Sequence, residues 1–208
     1  MPGRNPGGAD IPFTLASGSP RRKKLLGTCV PRFRVMASGV PEPAPRAGED
    51  VRGYVKRLAR LKALAVARRV PRGLVLGADT VVVRRGKVYG KPTDRADAHR
   101  ILSELSGKWH VVYTGLALAL RPGRRVWTSV HRTRVLLRTF SPSELRRLSQ
   151  RHHDKAGAYA AQARGNPFVE RYRGDFNTVV GLPLDGVRDL LAKAEKAGNF
   201  VVPVRKAI

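Results

Sequence analysis

Two hydroxyl groups and two guanidinium groups stand close together near the start of the chain. Ser17 and Ser19 precede Pro20, and Arg21 and Arg22 follow it. Ser19 suits the N-cap of a helix, and Pro20 suits the first turn, where a missing N–H costs little. The N–H groups of that helix end and the two arginines would face the same space, which favours an anion such as a phosphate chain. An ordinary capped helix with two solvated arginines is the alternative.

A carboxylate interrupts the apolar run of residues 74–83. Asp79 lies inside this segment, whose β-branched composition predicts a central buried strand. An unpaired carboxylate is costly there, so the group is expected to be paired, bound to metal or used in catalysis. A purely structural aspartate, paired with one of the many arginines, is the other interpretation. Glu42 is a second carboxylate, in the proline-rich segment 39–43, where a solvated loop acid is the default expectation.

Two lysines could supply positive charge to the same chemistry. Lys62 falls toward the end of a helical pattern that is already rich in basic residues, so one more solvated charge is the plain interpretation. Lys91 lies between Gly90 and Pro92, in a rigid turn that follows the Asp79 strand. That position is suitable for contact with a phosphate.

Seven short segments, in order along the chain, resemble motifs of the Maf family of nucleotide pyrophosphatases. The resemblance covers roughly residues 12–192 and begins at the serine–arginine segment described above. The matching segments are LASGSPRR (15–22), YVKRLARLKA (54–63), GADT (77–80), GKP (90–92), Ser106-Gly107 with His110 and Thr114-Gly115, DKAGAYAAQ (154–162), and Gly174-Asp175 with Asn177 and GLPL (181–184). Several motifs in order with compatible gaps are far more specific than one.

The resemblance implies a reaction and a role for each matching residue. Asp79 would accept a proton from a water polarised by a divalent metal, Mg²⁺ or Mn²⁺. That water would attack the α-phosphorus of a nucleoside triphosphate, releasing pyrophosphate and a monophosphate. Glu42 would share the metal with Asp79. The implied catalytic residues are Asp79, Glu42, Lys62 and Lys91, and the implied substrate-binding residues are Ser17, Ser19, Arg21, Arg22, Thr80 and Gln162.

The family divides by base preference, and three positions resemble the branch that acts on dTTP and UTP. These are Arg21, Thr80 and Gln162. A glutamine amide can both donate to and accept from a pyrimidine edge. The branch that acts on 7-methyl-GTP stays open as an alternative. It is also possible to interpret Thr80 as a residue that only continues the strand, and Gln162 as an exposed polar residue that does not contact a base. The resemblance further implies a housecleaning role in the nucleotide pool, a possible link to arrest of cell division, and dimers as a common state.

Charge supports a rival class of function. The chain has 41 Lys and Arg against 15 Asp and Glu, a net charge of +26, and would bind polyanions non-specifically. A catalytically weak protein that binds nucleic acid is therefore an alternative. However, aromatic residues are only 6% of the chain, and the arginine pairs are scattered rather than gathered on one stripe. A basic, solvated surface is therefore the favoured interpretation of the charge. Separately, Arg151 stands just before the DKAGAYAAQ segment, at a position where members of the family often have an acidic residue.

The elements that must position these residues alternate between strand and helix, which is typical of α/β folds. Strands are expected at 11–16, 74–83, 88–89, 109–120, 126–137, 156–160 and 168–172. Helices are expected to begin at Pro20, Val51, Asp94 (capped by Thr93) and Pro142 (capped by Ser141), with a last one at 184–197. The resemblance implies a mixed, elongated and bent sheet flanked by helices, with two lobes around a cleft.

One domain is predicted over residues 12–200, after a disordered lead-in at residues 1–11. The lead-in is rich in Gly and Pro and lacks the apolar centre of a signal peptide. No apolar run approaches the length that spans a bilayer. Cys29 is the only cysteine, so an intramolecular disulfide is excluded, and a reducing cytoplasm fits. We expect Cys29 to be a small buried residue.

Overall fold

The predicted alternation of strands and helices is confirmed. The computed structural model describes residues 9–150, 156–159, 161, 168–198, 200–202 and 204–205. The strands are β1 (Ala9–Asp10), β2 (Phe13–Leu15), β3 (Arg34–Val35), β4 (Gly73–Arg84), β5 (Lys87–Tyr89), β6 (Trp109–Arg121), β7 (Val126–Leu137), β8 (Val169–Arg173) and β9 (Phe200–Val201). The helices are α1 (Pro20–Cys29), α2 (Val51–Ala67), α3 (Arg95–Leu105), α4 (Pro142–Leu148), α5 (Phe176–Val180) and α6 (Leu184–Ala197).

The main sheet is mixed, as the fold class requires. Its order is β3-β2-β4-β6-β7-β8, with β5 paired to β4. Strand β2 runs parallel to both β3 and β4, whereas the β4–β5 and β7–β8 pairs are antiparallel. A separate two-stranded sheet joins β1 to β9 in parallel. No helix of the described residues is both long and apolar enough to cross a membrane.

The chain divides into two compact units. The first comprises Met1–Asp79, Gly115–Val130 and Gly181–Ile208. One of its cores joins β2, α1, β4, β6 and α6 through buried residues such as Leu15, Leu26 and Leu190. A second core is built from the small side chains of α2 against β4 and β6. Cys29 is buried in the first of these cores, as expected.

Helix α2 lies unusually close to the sheet in this unit. Asp50 caps its N-terminus, accepting a hydrogen bond from the Gly53 N–H at 2.7 Å. Gly77 on β4 has no side chain, and a Cβ there would come within 2.7 Å of the Ala63 nitrogen and closer still to the Ala59 carbonyl. Glycine therefore allows near backbone contact between α2 and β4, which sets how far a side chain on α2 must reach.

The second unit comprises Thr80–Thr114 and His131–Val180. Its core packs α3 and α4 with parts of β4, β6 and β7, and includes Ile101, Leu105, Val112 and Val135. Buried His110 and Tyr159 are joined within it by a hydrogen bond of 2.9 Å between Nε2 and the phenol oxygen. Since Nδ1 of His110 faces the Lys108 carbonyl, which can only accept, the Tyr159 hydroxyl donates to Nε2.

Three local predictions were wrong or incomplete. Asp94, not Thr93, caps α3, because its carboxylate accepts from the Asp97 N–H at 2.8 Å. The strand predicted at 156–160 is a 3₁₀ turn at Ala156–Ala158, where Gly157 has a φ of +73°. The short elements β1, β3, β9 and α5 were not predicted. Strand β1 falls within the predicted lead-in, whose residues 1–8 lie outside the described part of the chain.

Candidate active site

Three predicted catalytic residues meet in the first unit. The Lys62 ammonium, carried by α2, donates to Oε1 of Glu42 at 2.8 Å and to Oδ1 of Asp79 at 2.5 Å. Asp79 is only 4% exposed and Lys62 8%, whereas the Glu42 side chain is 37% exposed. One cation therefore holds two carboxylates together, one buried and the other at the surface. The sequence places these three residues in separate segments, 39–43, 54–63 and 77–80, and did not show that their side chains are in contact.

The environment of Asp79 changes its proton affinity. Burial raises the pKa of Asp79 above its ordinary value, and this effect outweighs the neighbouring charges. The Lys62 charge and its hydrogen bond oppose the rise, as does the Arg22 charge, while the Glu42 charge adds to it. A carboxylate with a raised pKa is a better proton acceptor than an ordinary one, which is the property needed in a general base.

A clamp that the sequence did not reveal holds the loop carrying Glu42. Arg57 on α2 donates to both oxygens of Glu49, at 2.7 and 2.6 Å, and also to the Ala44 carbonyl at 3.1 Å. The Arg57 hydrogen bonds lower the pKa of Glu49 to about 2. A bidentate ion pair of this kind fixes the relative orientation of the two side chains as well as pairing their charges. The loop is thus tied to the same helix that carries Lys62, which brings Glu42 within reach of the Lys62 ammonium.

The start of α1 forms as predicted. Ser19 caps the helix by accepting from the Arg22 N–H, and Pro20 occupies the first turn. The Arg22 side chain turns back, donating from Nε to the Gly181 carbonyl at 2.9 Å and from Nη1 to Ser17 Oγ at 3.4 Å. Ser17 is buried, and its Oγ also accepts from the Ser19 N–H at 3.2 Å. Arg22 is therefore fixed by the backbone of the GLPL segment, and Arg21 is half-buried in the same first turn.

The remaining predicted residues lie in the second unit or outside the described chain. Thr80 begins that unit, and its hydroxyl lies 2.9 Å from the hydroxyl of Thr114. Lys91 is exposed in the turn after β5, where the carbonyl of the preceding residue, Gly90, accepts from the Gly157 N–H at 3.0 Å. Gln162 lies outside the described residues, as does Arg151. The first unit thus contains three predicted catalytic residues and the serine–arginine group, and the second contains Thr80 and Lys91.

Glu42 and Asp79 are the residues that could hold a divalent metal ion. Carboxylate oxygens suit Mg²⁺, which is usually held by one or two carboxylates together with substrate phosphates. Glu42 is exposed to solvent and Asp79 is buried, so the pair offers one accessible and one buried carboxylate as metal ligands. The ligand chemistry of these two carboxylates therefore fits the divalent ion that the family resemblance implies. Among the described residues, no group of three or more His, Cys, Asp and Glu side chains is placed to hold a metal.

A comparison with protein families decides the family. The model of the Maf family, described as Maf-like protein, matches residues 12–194. The chain belongs to the Maf family. The motifs that define this Maf-family resemblance include Lys62, Asp79 and the residues of the α1 N-terminus.

Named relatives agree with the Maf assignment. The chain is 46% identical to a dTTP/UTP pyrophosphatase of Myxococcus xanthus over 184 residues, which are 88% of this chain and 92% of the relative. It is 44% identical to the dTTP/UTP pyrophosphatase of Gloeobacter violaceus, over 89% of this chain and 97% of the relative. It is 42% identical to that of Pelotomaculum thermopropionicum, over 87% and 95% respectively. This Maf-family chain is thus similar over nearly its whole length to proteins named for one activity.

Proposed function

We propose that this protein hydrolyses dTTP and UTP to the monophosphate and pyrophosphate. Membership of the Maf family and the names of relatives at 42–46% identity support the reaction and the preferred bases. The single structural observation that carries the proposal is the buried Asp79 carboxylate, whose pKa is raised and whose Oδ1 lies 2.5 Å from the Lys62 ammonium. A buried carboxylate of this kind is costly for folding and is typical of catalytic sites.

The proposed reaction begins with removal of a proton from water. Asp79 accepts this proton, and the water oxygen forms a bond to the α-phosphorus. The bond from that phosphorus to the bridging oxygen breaks, and its electron pair leaves with pyrophosphate. The products are therefore one monophosphate and one pyrophosphate, and the proton left on Asp79 returns to solvent. Lys62 is proposed to hold the Asp79 carboxylate in place and to keep it ionised.

Phosphate charge must be neutralised during this step. Arg21, Arg22 and Lys91 are proposed to contact the phosphates, because positive groups fixed in advance stabilise developing negative charge. Arg22 is suited to this role since the Gly181 carbonyl and Ser17 already fix its side chain. Glu42 and Asp79 would hold Mg²⁺ or Mn²⁺. When bound, such an ion acts as a Lewis acid toward phosphoryl oxygens.

Base selection is the remaining part of the proposal. Thr80 and Gln162 are proposed to contact the pyrimidine. Thr80 is half-buried, with its hydroxyl already in contact with Thr114. We also propose that residues 12–200 act as one functional domain in the cytoplasm, with a homodimer as the expected assembly.

One assay tests the reaction and the base preference together. The purified protein is incubated with Mg²⁺ and, in turn, dTTP, UTP, CTP, ATP and 7-methyl-GTP, and monophosphate and pyrophosphate are measured. We expect turnover of dTTP and UTP with release of intact pyrophosphate, and loss of turnover when the metal is chelated. Release of orthophosphate would contradict the proposed bond cleavage, and preference for 7-methyl-GTP would assign the other branch.

A matched variant tests the role of Asp79. Asp79→Asn keeps the size and most of the hydrogen bonding of the side chain but removes the basic carboxylate. Loss of a general base typically lowers the rate by about 10²–10⁴-fold, so we expect a fall in kcat of that size with nucleotide still bound. Near-normal turnover would rule out Asp79 as the base. No turnover of any nucleotide by the wild type, together with tight salt-sensitive DNA binding, would favour the basic binding protein instead.

A further inference from the structure

Strand pairing gathers four arginines on one face of the sheet in the second unit. Arg132 and Arg134 are exposed on β7, where they alternate with buried residues. Arg171 and Arg173 are exposed at alternate positions of the neighbouring strand β8, and Arg173 lies directly opposite Arg134. Because residues at alternate positions of a strand share a face, all four guanidinium groups project from the same side of the sheet.

The indole ring of Trp109 lies beneath two of these arginines. The guanidinium carbons of Arg134 and Arg173 are 5.3 and 5.6 Å from the centre of the ring. Trp109 is half-buried on β6, the strand on the other side of β7, and half-buried Tyr113 lies on the same face four residues further along. The face therefore combines aromatic rings on β6 with positive charge on β7 and β8.

The two arginines on the indole ring carry charge that the protein does not neutralise nearby. Like charges directly opposite each other on paired strands are destabilising. Among the described residues, neither Arg134 nor Arg173 forms an ion pair with a carboxylate. Arg171 has one carboxylate neighbour, Glu170, at the long distance of 3.7 Å. Contact with the ring holds the two guanidinium groups in place but leaves their positive charge available to an anionic partner.

The spacing of the four charges suits a ligand that carries several phosphates in a row. Residues two apart on a strand are separated by about 7 Å, and neighbouring strands by about 5 Å. The guanidinium groups thus form an extended patch rather than a site for a single small anion. Guanidinium groups bind phosphate oxygens in bidentate fashion, and both they and aromatic rings stack on unpaired bases.

We propose that this arginine face, formed by Arg132, Arg134, Arg171 and Arg173 with Trp109, binds single-stranded nucleic acid. The arginines contact the phosphates, and the aromatic side of the face offers a surface on which bases stack. The proposal goes beyond the pyrophosphatase activity and does not depend on it. A second copy of the chain fits this face poorly, because a two-fold interface would bring the same four positive charges against each other.

The test measures binding of a fluorescently labelled single-stranded oligodeoxyadenylate by anisotropy over a range of salt concentrations. Adenine is used because the proposed catalytic site prefers thymine and uracil, and the oligonucleotide carries no triphosphate. In Arg134→Gln/Arg173→Gln, we expect the Kd to rise by roughly tenfold. The slope of the logarithm of affinity against the logarithm of salt should become shallower by about 1.4, or about 0.7 for each lost phosphate contact on a single strand.

Arg146→Gln/Arg147→Gln is the matched control. Both arginines are exposed on α4 in the same unit, and their replacement lowers the net charge by the same amount. Helix α4 packs on the core that includes Val135, the neighbour of Arg134 on β7, so it lies on the opposite side of the sheet from the arginine face. An equal loss of affinity in this control would show that net charge alone matters and would overturn the proposal.

A conservative variant separates the charge from the planar guanidinium group. Arg134→Lys/Arg173→Lys keeps both charges but loses the bidentate geometry. We expect it to keep the salt slope of the wild type, with a Kd between those of the wild type and the glutamine variant. A slope as shallow as that of the glutamine variant would contradict direct phosphate contact by these two residues. Thermal unfolding followed by circular dichroism checks that each variant is folded.

Three further results would overturn the proposal. Equal or tighter binding of a duplex of the same length would exclude recognition of a single strand. Displacement of the oligonucleotide by inorganic pyrophosphate at equal phosphate concentration would assign the face to small phosphate ligands. A changed molar mass of Arg134→Gln/Arg173→Gln in solution would make the face an interface between copies of the chain.

Catalytic assays separate this inference from the proposed function. We expect kcat/KM for dTTP to be the same in Arg134→Gln/Arg173→Gln as in the wild type, and a lower value would place these arginines in the substrate site and overturn the inference. A wild type that hydrolyses no nucleoside triphosphate, yet binds the oligonucleotide through the arginine face, would overturn the proposed function alone.

Discussion

Replacing Lys62 by methionine should move the pH dependence of activity in a defined direction. Lys62 lowers the pKa of Asp79 both through its charge and through the 2.5 Å hydrogen bond from its ammonium. With Lys62 removed, burial and the Glu42 charge act on Asp79 with less opposition, so its pKa rises further. The carboxylate must then be ionised at a higher pH before it can accept a proton.

The size of the change follows from the contact that is lost. A hydrogen bond to a charged group contributes about 1.5–3 kcal/mol, and one pKa unit corresponds to about 1.36 kcal/mol. The pKa of Asp79 should therefore rise by about one to two units in Lys62→Met. Since kcat/KM reports the ionisation of the free enzyme, its acidic limb should move upward by the same amount.

The assay is the pH profile of kcat/KM for dTTP or UTP, measured for the wild type, Lys62→Met and Lys56→Met. Lys56 is exposed on the same helix and serves as the matched control. A lower plateau in Lys62→Met is compatible with any role in phosphate binding, but a shifted limb is specific to control of Asp79. An active Lys62→Met enzyme with an unmoved acidic limb would refute the reasoning.

Two further predictions concern the framework of each unit. Burial lowers the pKa of His110 to about 4 from 6.5, so the stability given by neutral His110 is present above pH 6.5 and is lost as the pH falls toward 4. The gap in unfolding free energy between wild type and His110→Phe should therefore shrink by about 3 kcal/mol from pH 7 to pH 4, measured by urea denaturation; a constant gap would contradict this. Gly77→Ala should lower the unfolding free energy by about 1–3 kcal/mol, because its Cβ would meet the backbone of α2, and should reduce activity by displacing Lys62. Gly90→Ala, whose Cβ would meet no atom within 4 Å, is the control for stability, and equal effects of the two substitutions would dismiss the close contact as the cause.

The sequence was most informative where the immediate neighbours of a residue determine its role. Asp79 could be singled out because a carboxylate is unexpected inside an apolar strand, and Ser19 because a helix cap depends only on the residues next to it. Asp94 and Thr93 show the limit of such local signals. Both can cap a helix and they are adjacent, so only the backbone decides between them.

Contacts between distant segments could not be predicted in the same way. Thr80 and Thr114 are 34 residues apart, and Thr114 and Thr178 are 64 apart, so nothing in their local pattern joins them. The two-residue strands β1, β3 and β9 are too short to show a period. The segment at residues 156–160 was predicted as a short strand, but Gly157 and Ala158 both have positive φ values, which a strand excludes.

The cluster of Glu42, Lys62 and Asp79 gives the protein two opposite responses to a polyanion at two distances. Before contact, the electrostatic field of a chain with a net charge of +26 attracts nucleotides. At physiological ionic strength, salt screens this field over a distance of about 8 Å. At contact, two carboxylates and one ammonium present a net negative charge when both carboxylates are ionised. Long-range attraction would therefore act on phosphates of every kind, whereas these three side chains by themselves would repel a phosphate that arrives without compensating cations, and the Arg22 charge that acts on Asp79 would offset part of that repulsion. Any selection among polyanions by this cluster would thus take place in the last few ångströms of approach, not during diffusion toward the surface.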